Sequence, residues 1–353
     1  MSPSLKLQEL LRGVLVRTGF ASSTKVAGLT PAAKALWIAG AATRDARNEV
    51  VLVVVPTDRD VEQLVTDTRF FLAGLEGSSR ADLDTAVVAF PSHEVDPYRG
   101  MAPHTSIAST RAHALQALTA GQARVVVASA TALTPRVVSP DALFDLVLDL
   151  RPGGELDTQS LAGILVDGGF TREDPVAERG AFCIRGGVVD IFPASDELPA
   201  RLELIGDTIE SIRRFDPTTQ RSLDTIDHLT VVPLTDRPGG ASVRSPGALA
   251  PGSPISATLF DYLTLGRRPV FVVSEPDEVD ERGRAWLDQI AESYADAVDR
   301  RARAGEDPPP EPHEILVAWT DIATRLDGAV RLDELSIDDP DSSVAPGLQP
   351  RGP

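Results

Sequence analysis

The chain has 353 residues, of which 42% are hydrophobic and 24% charged, an ordinary composition for a globular protein. This length predicts two or three domains, at roughly 100–200 residues per domain. No apolar run reaches the roughly 20 residues that a membrane-spanning helix needs, so we expect no membrane association. The first twelve residues, with Lys6 and Arg12 among scattered leucines, predict an amphipathic helix rather than a signal peptide.

The net charge of −18 argues against DNA duplexes as direct partners. Proteins that bind duplexes concentrate Lys and Arg, because neutralising phosphates dominates their affinity. The densest basic group here is Arg300, Arg301 and Arg303. We therefore expect weak or no autonomous DNA binding and a protein partner instead. The single cysteine, Cys183, favours a reducing compartment, so a cytoplasmic location is expected.

The first 150 residues predict strands that alternate with helices. Thr30-Pro31 and Thr57 are typical helix starts, and Asp60 completes a capping box with Thr57. Val50–Val55 is an all-apolar run, as in a strand covered on both faces. Further strands are predicted at 86–90 and 124–128. This alternation predicts an α/β fold with a parallel sheet.

The pattern changes near Arg151-Pro152, where the chain becomes rich in strands after one helix, Gln159–Asp167. The predicted strands are 182–184, 187–192, 201–205, 209–215 and 229–234. We expect a small, mostly antiparallel α+β domain of about 85 residues. Beyond it, Arg237–Pro254 predicts a linker, followed by a strand at 269–274 and a helix at 280–303. Residues 338–353 predict a disordered tail.

The segment from Gly28 to Ala35 lies where a phosphate-binding loop would meet its helix. Such a loop needs a second glycine before its lysine and a Ser or Thr after it. Gly28 and Lys34 keep the spacing, but Ala33 and Ala35 occupy those two places. We therefore expect a capped helix that does not bind ATP. The scattered histidines and the missing nucleophile elbow predict neither a metal site nor catalytic residues.

Two arginines stand out in the strand-rich region. Arg185 begins the string RGGVVDIFPA, and Arg201 begins RLELIGDTIESI, which predicts a hairpin with Gly206-Asp207 at its tip. Both could simply pair with Asp190 or Glu203, and such surface pairs contribute about 0–1 kcal/mol. They could instead belong to an interface. The residues alone favour the ion pairs.

These two strings closely resemble the second domain of UvrB and of the transcription-repair coupling factors. The block Phe90–Tyr98, with Ser109-Thr110-Arg111 after it, favours the coupling factors over UvrB, whereas Val126–Leu133 is similar to both. UvrB has an intact phosphate loop and a tyrosine-rich hairpin that clamps DNA. This chain has the degenerate loop and only Tyr98 in that interval, which is similar to the coupling factors.

The resemblance implies a degenerate RecA-like α/β domain, like UvrB domain 1, made of residues 1–150 and 236–337. A small α+β domain like UvrB domain 2, residues 151–235, is inserted in it, and 338–353 form the tail. It also implies that this inserted domain binds UvrA through Arg185, Arg201 and Ile205. Ile205 stands where an aromatic residue is expected in relatives, so its contact would be aliphatic or weaker.

The function that the resemblance implies is recruitment of UvrA to stalled RNA polymerase in transcription-coupled nucleotide excision repair. In the family, the polymerase-binding domain and the ATP- and Mg²⁺-dependent DNA translocase lie further downstream, so we expect a fragment or truncated product without cofactor or catalysis. Two alternatives remain. A partial UvrB-like ATP-dependent helicase is disfavoured by the degenerate phosphate loop. A scaffold that lost its partner is disfavoured by the retained Arg185 and Arg201.

Overall fold

The computed structural model describes residues 8–13, 25–44, 48–194, 196–236 and 255–334. The predicted linker (237–254) and tail (338–353) lie outside these ranges. Within them, no helix has the length and apolar character that crossing a membrane requires. Residues 8–13 are helical, in agreement with the predicted N-terminal helix.

Contacts divide the chain into two compact units. The first contains the residues up to Met101, Ala117–Arg136 and the chain from Thr258 onwards. The second contains Ala102–Gln116 and Val137–Ala257. The sequence places its boundaries elsewhere, at 150/151 and 235/236, and those domain boundaries stay predictions.

Secondary structure in the described residues is mixed. The helices are α1 Pro31–Arg44, α2 Asp58–Glu76, α3 Arg80–Ala86, α4 Thr105–Thr119, α5 Pro140–Phe144, α6 Thr158–Asp167, α7 Leu259–Leu263, α8 Pro276–Ala304, α9 Pro312–Ile315 and α10 Trp319–Arg325. The strands are β1 Lys25–Val26, β2 Glu49–Val55, β3 Val87–Phe90, β4 Val125–Ser129, β5 Val137–Val138, β6 Leu148–Leu150, β7 Thr171–Arg172, β8 Ala181–Arg185, β9 Val188–Ile191, β10 Ala200–Ile205, β11 Thr208–Phe215, β12 Ser222–Thr225, β13 Leu229–Val231, β14 Ile255–Ala257, β15 Arg268–Ser274 and β16 Val330–Leu332.

The first unit is built on a parallel sheet. Its described strands lie in the order β1-β16-β15-β2-β4-β3, and every neighbouring pair is parallel. The six valine and leucine side chains of Val50–Val55 are buried, as expected for a central strand covered on both faces. Thr57 and Asp60 form the predicted capping box at the start of α2. The α/β architecture with a parallel sheet is therefore confirmed.

The second unit contains a separate sheet with the order β12-β11-β10-β9-β8-β7. Its strands pair antiparallel except for β7 and β8. One face carries buried residues such as Phe182, Leu202 and Ile212, which share a hydrophobic core with helix α6. The edge strand β12 was not predicted. Strand β13, which we expected within this sheet, pairs instead with β6 in a two-stranded ladder.

A buried ion pair fixes helix α4 inside the second unit. Arg111 on α4 and Asp236, which follows β13, are both fully buried, and Arg111 Nε donates to Asp236 Oδ2 at 2.7 Å. Removing one member of a buried pair leaves the other charge uncompensated, which typically costs about 3–5 kcal/mol. We expect Arg111→Ala to lower the free energy of unfolding by this amount in a urea titration. The double variant Arg111→Met/Asp236→Leu should recover part of the loss, and a cost for Arg111→Ala below about 1 kcal/mol would contradict this account.

Gly283 on α8 lies directly against the indole of Trp319. A methyl group at Gly283 would come within 2.3 Å of ring atoms Cε3 and Cζ3. The ring is also held by its Nε1, which donates to Asp280 Oδ1 at 2.8 Å. Alanine favours a helix interior over glycine by about 1 kcal/mol, but overpacking costs typically about 1–3 kcal/mol.

We therefore expect Gly283→Ala to lower the melting temperature. The matched control is Gly163→Ala on α6, where an added methyl group meets no atom within 4 Å. That variant should be neutral or stabilising, by up to about 1 kcal/mol. Equal melting temperatures for the two variants would show that the contact between Gly283 and Trp319 does not constrain the fold.

Candidate functional site

Strand β10 presents two different faces because successive side chains of a strand point to opposite sides. Ala200, Leu202 and Leu204 belong to the core of the second unit. Arg201 and Ile205 therefore lie on the opposite face, which we call the outer face. The side chain of Ile205 is 66% exposed. A bulge in the pairing with β11, between Glu203 and Leu204, leaves this alternation along β10 intact.

The outer face is organised around the carboxylate of Asp190 on β9, whose side chain is only 1% exposed. Asp190 is the cross-strand neighbour of Arg201. Its Oδ1 accepts from Arg201 Nε at 2.7 Å, and its Oδ2 accepts from Arg201 Nη2 at 2.9 Å. The same Oδ2 accepts from Arg185 Nη2 at 2.8 Å. One buried carboxylate thus holds both arginines that the sequence singled out.

Arg201 is held on three sides. Besides Asp190, its Nη1 donates to the backbone carbonyl of Gln220 at 3.3 Å, and its guanidinium lies 4.6 Å from the centre of the Phe215 ring. The hydrogen bonds that Arg201 donates to Asp190 raise the pKa of Arg201 above its usual value. Its side chain is 18% exposed. This guanidinium is therefore a permanently charged and immobile part of the outer face.

Arg185 is more accessible. Its side chain is 45% exposed, and its Nη1 donates to Asp174 Oδ1 at 2.9 Å. Asp174 is itself exposed, so this second contact lies in water and is weak. The structure thus brings Arg185, Arg201 and Ile205 to one face of one sheet. It also shows the pairing with Asp190 that the sequence offered as the alternative interpretation of these arginines.

Three residues of this arrangement were missed by the sequence analysis: Phe215, Gln220 and Arg213. Arg213 on β11 is the direct cross-strand neighbour of Arg201. Aligning the two predicted strands of the hairpin across the Gly206-Asp207 turn could have found it. Gln220 has a left-handed backbone, with φ of 59°, and no sequence signal indicates that its carbonyl reaches Arg201.

The degenerate phosphate loop forms a second candidate site, in the first unit. Gly28 has a φ of 78°, and Ala35 is fully buried within α1. The ammonium of Lys34 is buried, pairs with Glu275, and donates to Ser274 Oγ at 3.0 Å. Glu334 lies 3.7 Å from it. Carboxylates therefore surround the group that would contact phosphate in a working loop.

A cavity of about 310 Å³ lies beside Lys34. The acidic residues that line it are Asp60, Asp67, Glu275, Glu278 and Glu334. Burial, and after it the nearby Glu275 carboxylate, raise the pKa of Asp333. The lining of the cavity itself carries five acidic side chains and one lysine. This is an unfavourable environment for the phosphates of a nucleotide. Ala33 precedes Lys34 in α1, and only its backbone could contact a phosphate.

Residues 148–236 match the family model described as the UvrB interaction domain. This range covers the whole outer face, from Asp174 and Arg185 to Gln220.

Curated proteins with similar sequences are called transcription-repair-coupling factors. The protein from Myxococcus xanthus is 36% identical over 187 residues, which are 52% of this chain and 15% of that protein. The one from Escherichia coli is 32% identical over 155 residues, 44% of this chain and 14% of that protein. A relative from Staphylococcus aureus is 29% identical over 215 residues, which are 61% of this chain and 17% of that protein. The similarity therefore spans less than a fifth of each relative.

The resemblance indicated by the strings at Arg185 and Arg201 is thereby confirmed: the chain contains a UvrB interaction domain and is related in sequence, over about half its length, to the transcription-repair-coupling factors.

Proposed function

We propose that this chain is a docking module that recruits UvrA to stalled RNA polymerase in transcription-coupled nucleotide excision repair. The observation that carries the proposal is the UvrB interaction domain at residues 148–236. The names of the relatives connect this domain with the coupling of transcription to repair. On this proposal UvrA binds this chain directly, and RNA polymerase is contacted through other parts of the coupling factor.

The outer face supports a role in protein docking. It combines a rigid guanidinium, a more accessible one and an exposed aliphatic side chain: Arg201, Arg185 and Ile205. Arginine is enriched at the energetic centres of interfaces because its planar fork recognises carboxylates with several donors. An interface residue that is already immobile in the free protein loses little side-chain entropy on binding. The docking surface that we propose is this face of the second unit.

The arrangement around Lys34 supports a non-catalytic first unit. We propose that the parallel-sheet unit is a degenerate RecA-like domain in which Glu275 pairs with the lysine in place of a phosphate. Ala35 offers no hydroxyl for Mg²⁺, and the neighbouring carboxylates oppose a polyphosphate. On this proposal the chain needs no nucleotide, metal or membrane to do its work, and acts in the cytoplasm.

The docking proposal predicts that Arg185→Ala and Arg201→Ala weaken the binding of UvrA. Truncating an arginine at the centre of an interface typically costs about 2 kcal/mol or more, so we expect Arg201→Ala to weaken binding by roughly thirtyfold or more. The measurement is a calorimetric titration of UvrA from the same organism with the unmodified chain and each variant.

Because Asp190 is buried, Arg201→Ala is also expected to lower the melting temperature, and the titrations are made well below it. Arg185→Ala removes a half-exposed side chain and should leave stability nearly unchanged, which makes it the cleaner variant. Equal affinity for all three proteins would exclude this face. No binding by the unmodified chain would exclude the docking function.

A second prediction is that the chain shows no saturable binding of ATP, with or without Mg²⁺. Isothermal calorimetry at millimolar ATP should give only heats of dilution, whereas a protein with an intact phosphate loop, measured alongside, should bind. Lys34→Met should lower the melting temperature, because it removes the cationic partner of the Glu275 carboxylate, and should not alter the ATP titration. Saturable ATP binding that is lost in Lys34→Met would contradict the proposed role of this lysine.

A further inference from the structure

Arg213 occupies an electrostatically unfavourable position. It lies on β11 directly opposite Arg201 and on the same outer face, since cross-strand partners share a face. Like charges directly opposite each other on neighbouring strands destabilise a sheet. Asp190 lies on the other side of Arg201 and pairs with Arg201 and Arg185. Strand β10 separates Asp190 from Arg213.

The nearest acid does not hold Arg213 firmly. Within the described residues its only ionic contact is with Glu203, whose Oε2 is 3.7 Å from Nη2, beyond hydrogen-bond distance. That same oxygen accepts a hydrogen bond from Ser211 Oγ at 2.8 Å. The Arg213 side chain is 42% exposed. Its guanidinium is thus charged, accessible and without a well-formed partner in this part of the chain.

Arg201 is held differently, although it lies next to Arg213. Its Nε and Nη2 are engaged by Asp190, and its Nη1 by the Gln220 carbonyl. The two donors of Arg201 that could bind an external carboxylate side by side are thus already bound to Asp190. An incoming acidic group therefore meets the accessible donors of Arg213 on one side of Arg201 and those of Arg185 on the other.

We propose that Arg213 is a direct contact residue of the docking face and binds a carboxylate of an acidic segment of UvrA. This inference rests on the proposed function. Arg185 is the second direct contact, Ile205 supplies the aliphatic contact, and Arg201 is a positioning residue that keeps the positive potential of the face in place. The external carboxylate relieves the repulsion between Arg213 and Arg201, which no described acid relieves by a hydrogen bond to Arg213.

The test compares Arg213→Gln with Arg303→Gln in the full chain, titrated with UvrA. Arg303 on α8 is 82% exposed, so both variants remove one positive charge from an accessible arginine. We expect Arg213→Gln to weaken UvrA binding by about tenfold or more, as for an arginine at the centre of an interface. Its melting temperature should be unchanged or raised, because a like-charge neighbour of Arg201 is gone. Arg303→Gln should bind like the unmodified chain.

Three results would overturn the inference while leaving the docking function intact. The first is affinity for Arg213→Gln within twofold of the unmodified chain. The second is a loss of affinity that is matched by a fall in melting temperature, which would make Arg213 structural. The third is an equal loss in Arg303→Gln, which would indicate long-range electrostatics. If the unmodified chain does not bind UvrA, the proposed function fails, and this inference fails with it.

Discussion

The carboxylate of Asp190 determines how the outer face of the second unit is arranged. It is buried, and a buried charge is tolerated only when it is paired and hydrogen-bonded. Arg201 satisfies both of its oxygens and Arg185 adds a further bond to one of them. The requirements of this one side chain therefore set the direction of two guanidiniums, and the Phe215 ring and Gln220 carbonyl complete the support of Arg201.

This arrangement joins the two interpretations that the sequence left open. The arginines are ion-paired within the unit, as the residues alone suggested, yet the pairing does not remove them from the surface. Asp190 carries one negative charge, whereas Arg185, Arg201 and Arg213 carry three positive ones. The other acids in reach, Asp174 and Glu203, are exposed or engaged elsewhere and are weak partners. A face built in this way is stable alone and still suited to an acidic partner.

Lys34 shows how the first unit uses a buried charge in a different way. In a working phosphate loop the lysine contacts the phosphates of the bound nucleotide. Here Glu275 and Ser274 already contact it, and Glu275 adopts a left-handed backbone, with φ of 52°, at the start of α8. Such a conformation costs a non-glycine residue of order 1–3 kcal/mol. The ion pair with Lys34 offsets part of this cost and couples α1 to α8.

Local signals predicted a large part of the fold. The capping box of Thr57 and Asp60 and the apolar run at Val50–Val55 depend on neighbouring residues, and both formed where expected. Strand β12 was missed because all four of its residues are exposed, which leaves no apolar alternation. The pairing of β13 with β6 joins segments about 80 residues apart in the chain, and no local pattern encodes it.

In the candidate site, too, local sequence patterns predicted the strands but not the pairing between them. The strings beginning at Arg185 and Arg201 predicted strands that the structure contains, and both arginines lie on one face of that sheet. The binding of UvrA by this face stays a prediction. The importance of Asp190 as a shared anchor depends on the register of three strands, and that of Arg213 on the register of the hairpin. Register arises from the packing of the whole sheet, so a single sequence does not reveal which charges become neighbours.

The central proposal is that UvrA docks on the outer face formed by β8, β9, β10 and β11. Hydrogen–deuterium exchange of the chain, with and without saturating UvrA, tests it most directly, because binding protects the amides that it covers or stabilises. The account predicts new protection concentrated in peptides covering residues 181–191 and 200–215, with the region around Lys34 unchanged. Protection confined to the parallel-sheet unit, with residues 181–215 exchanging as in the free chain, would contradict it.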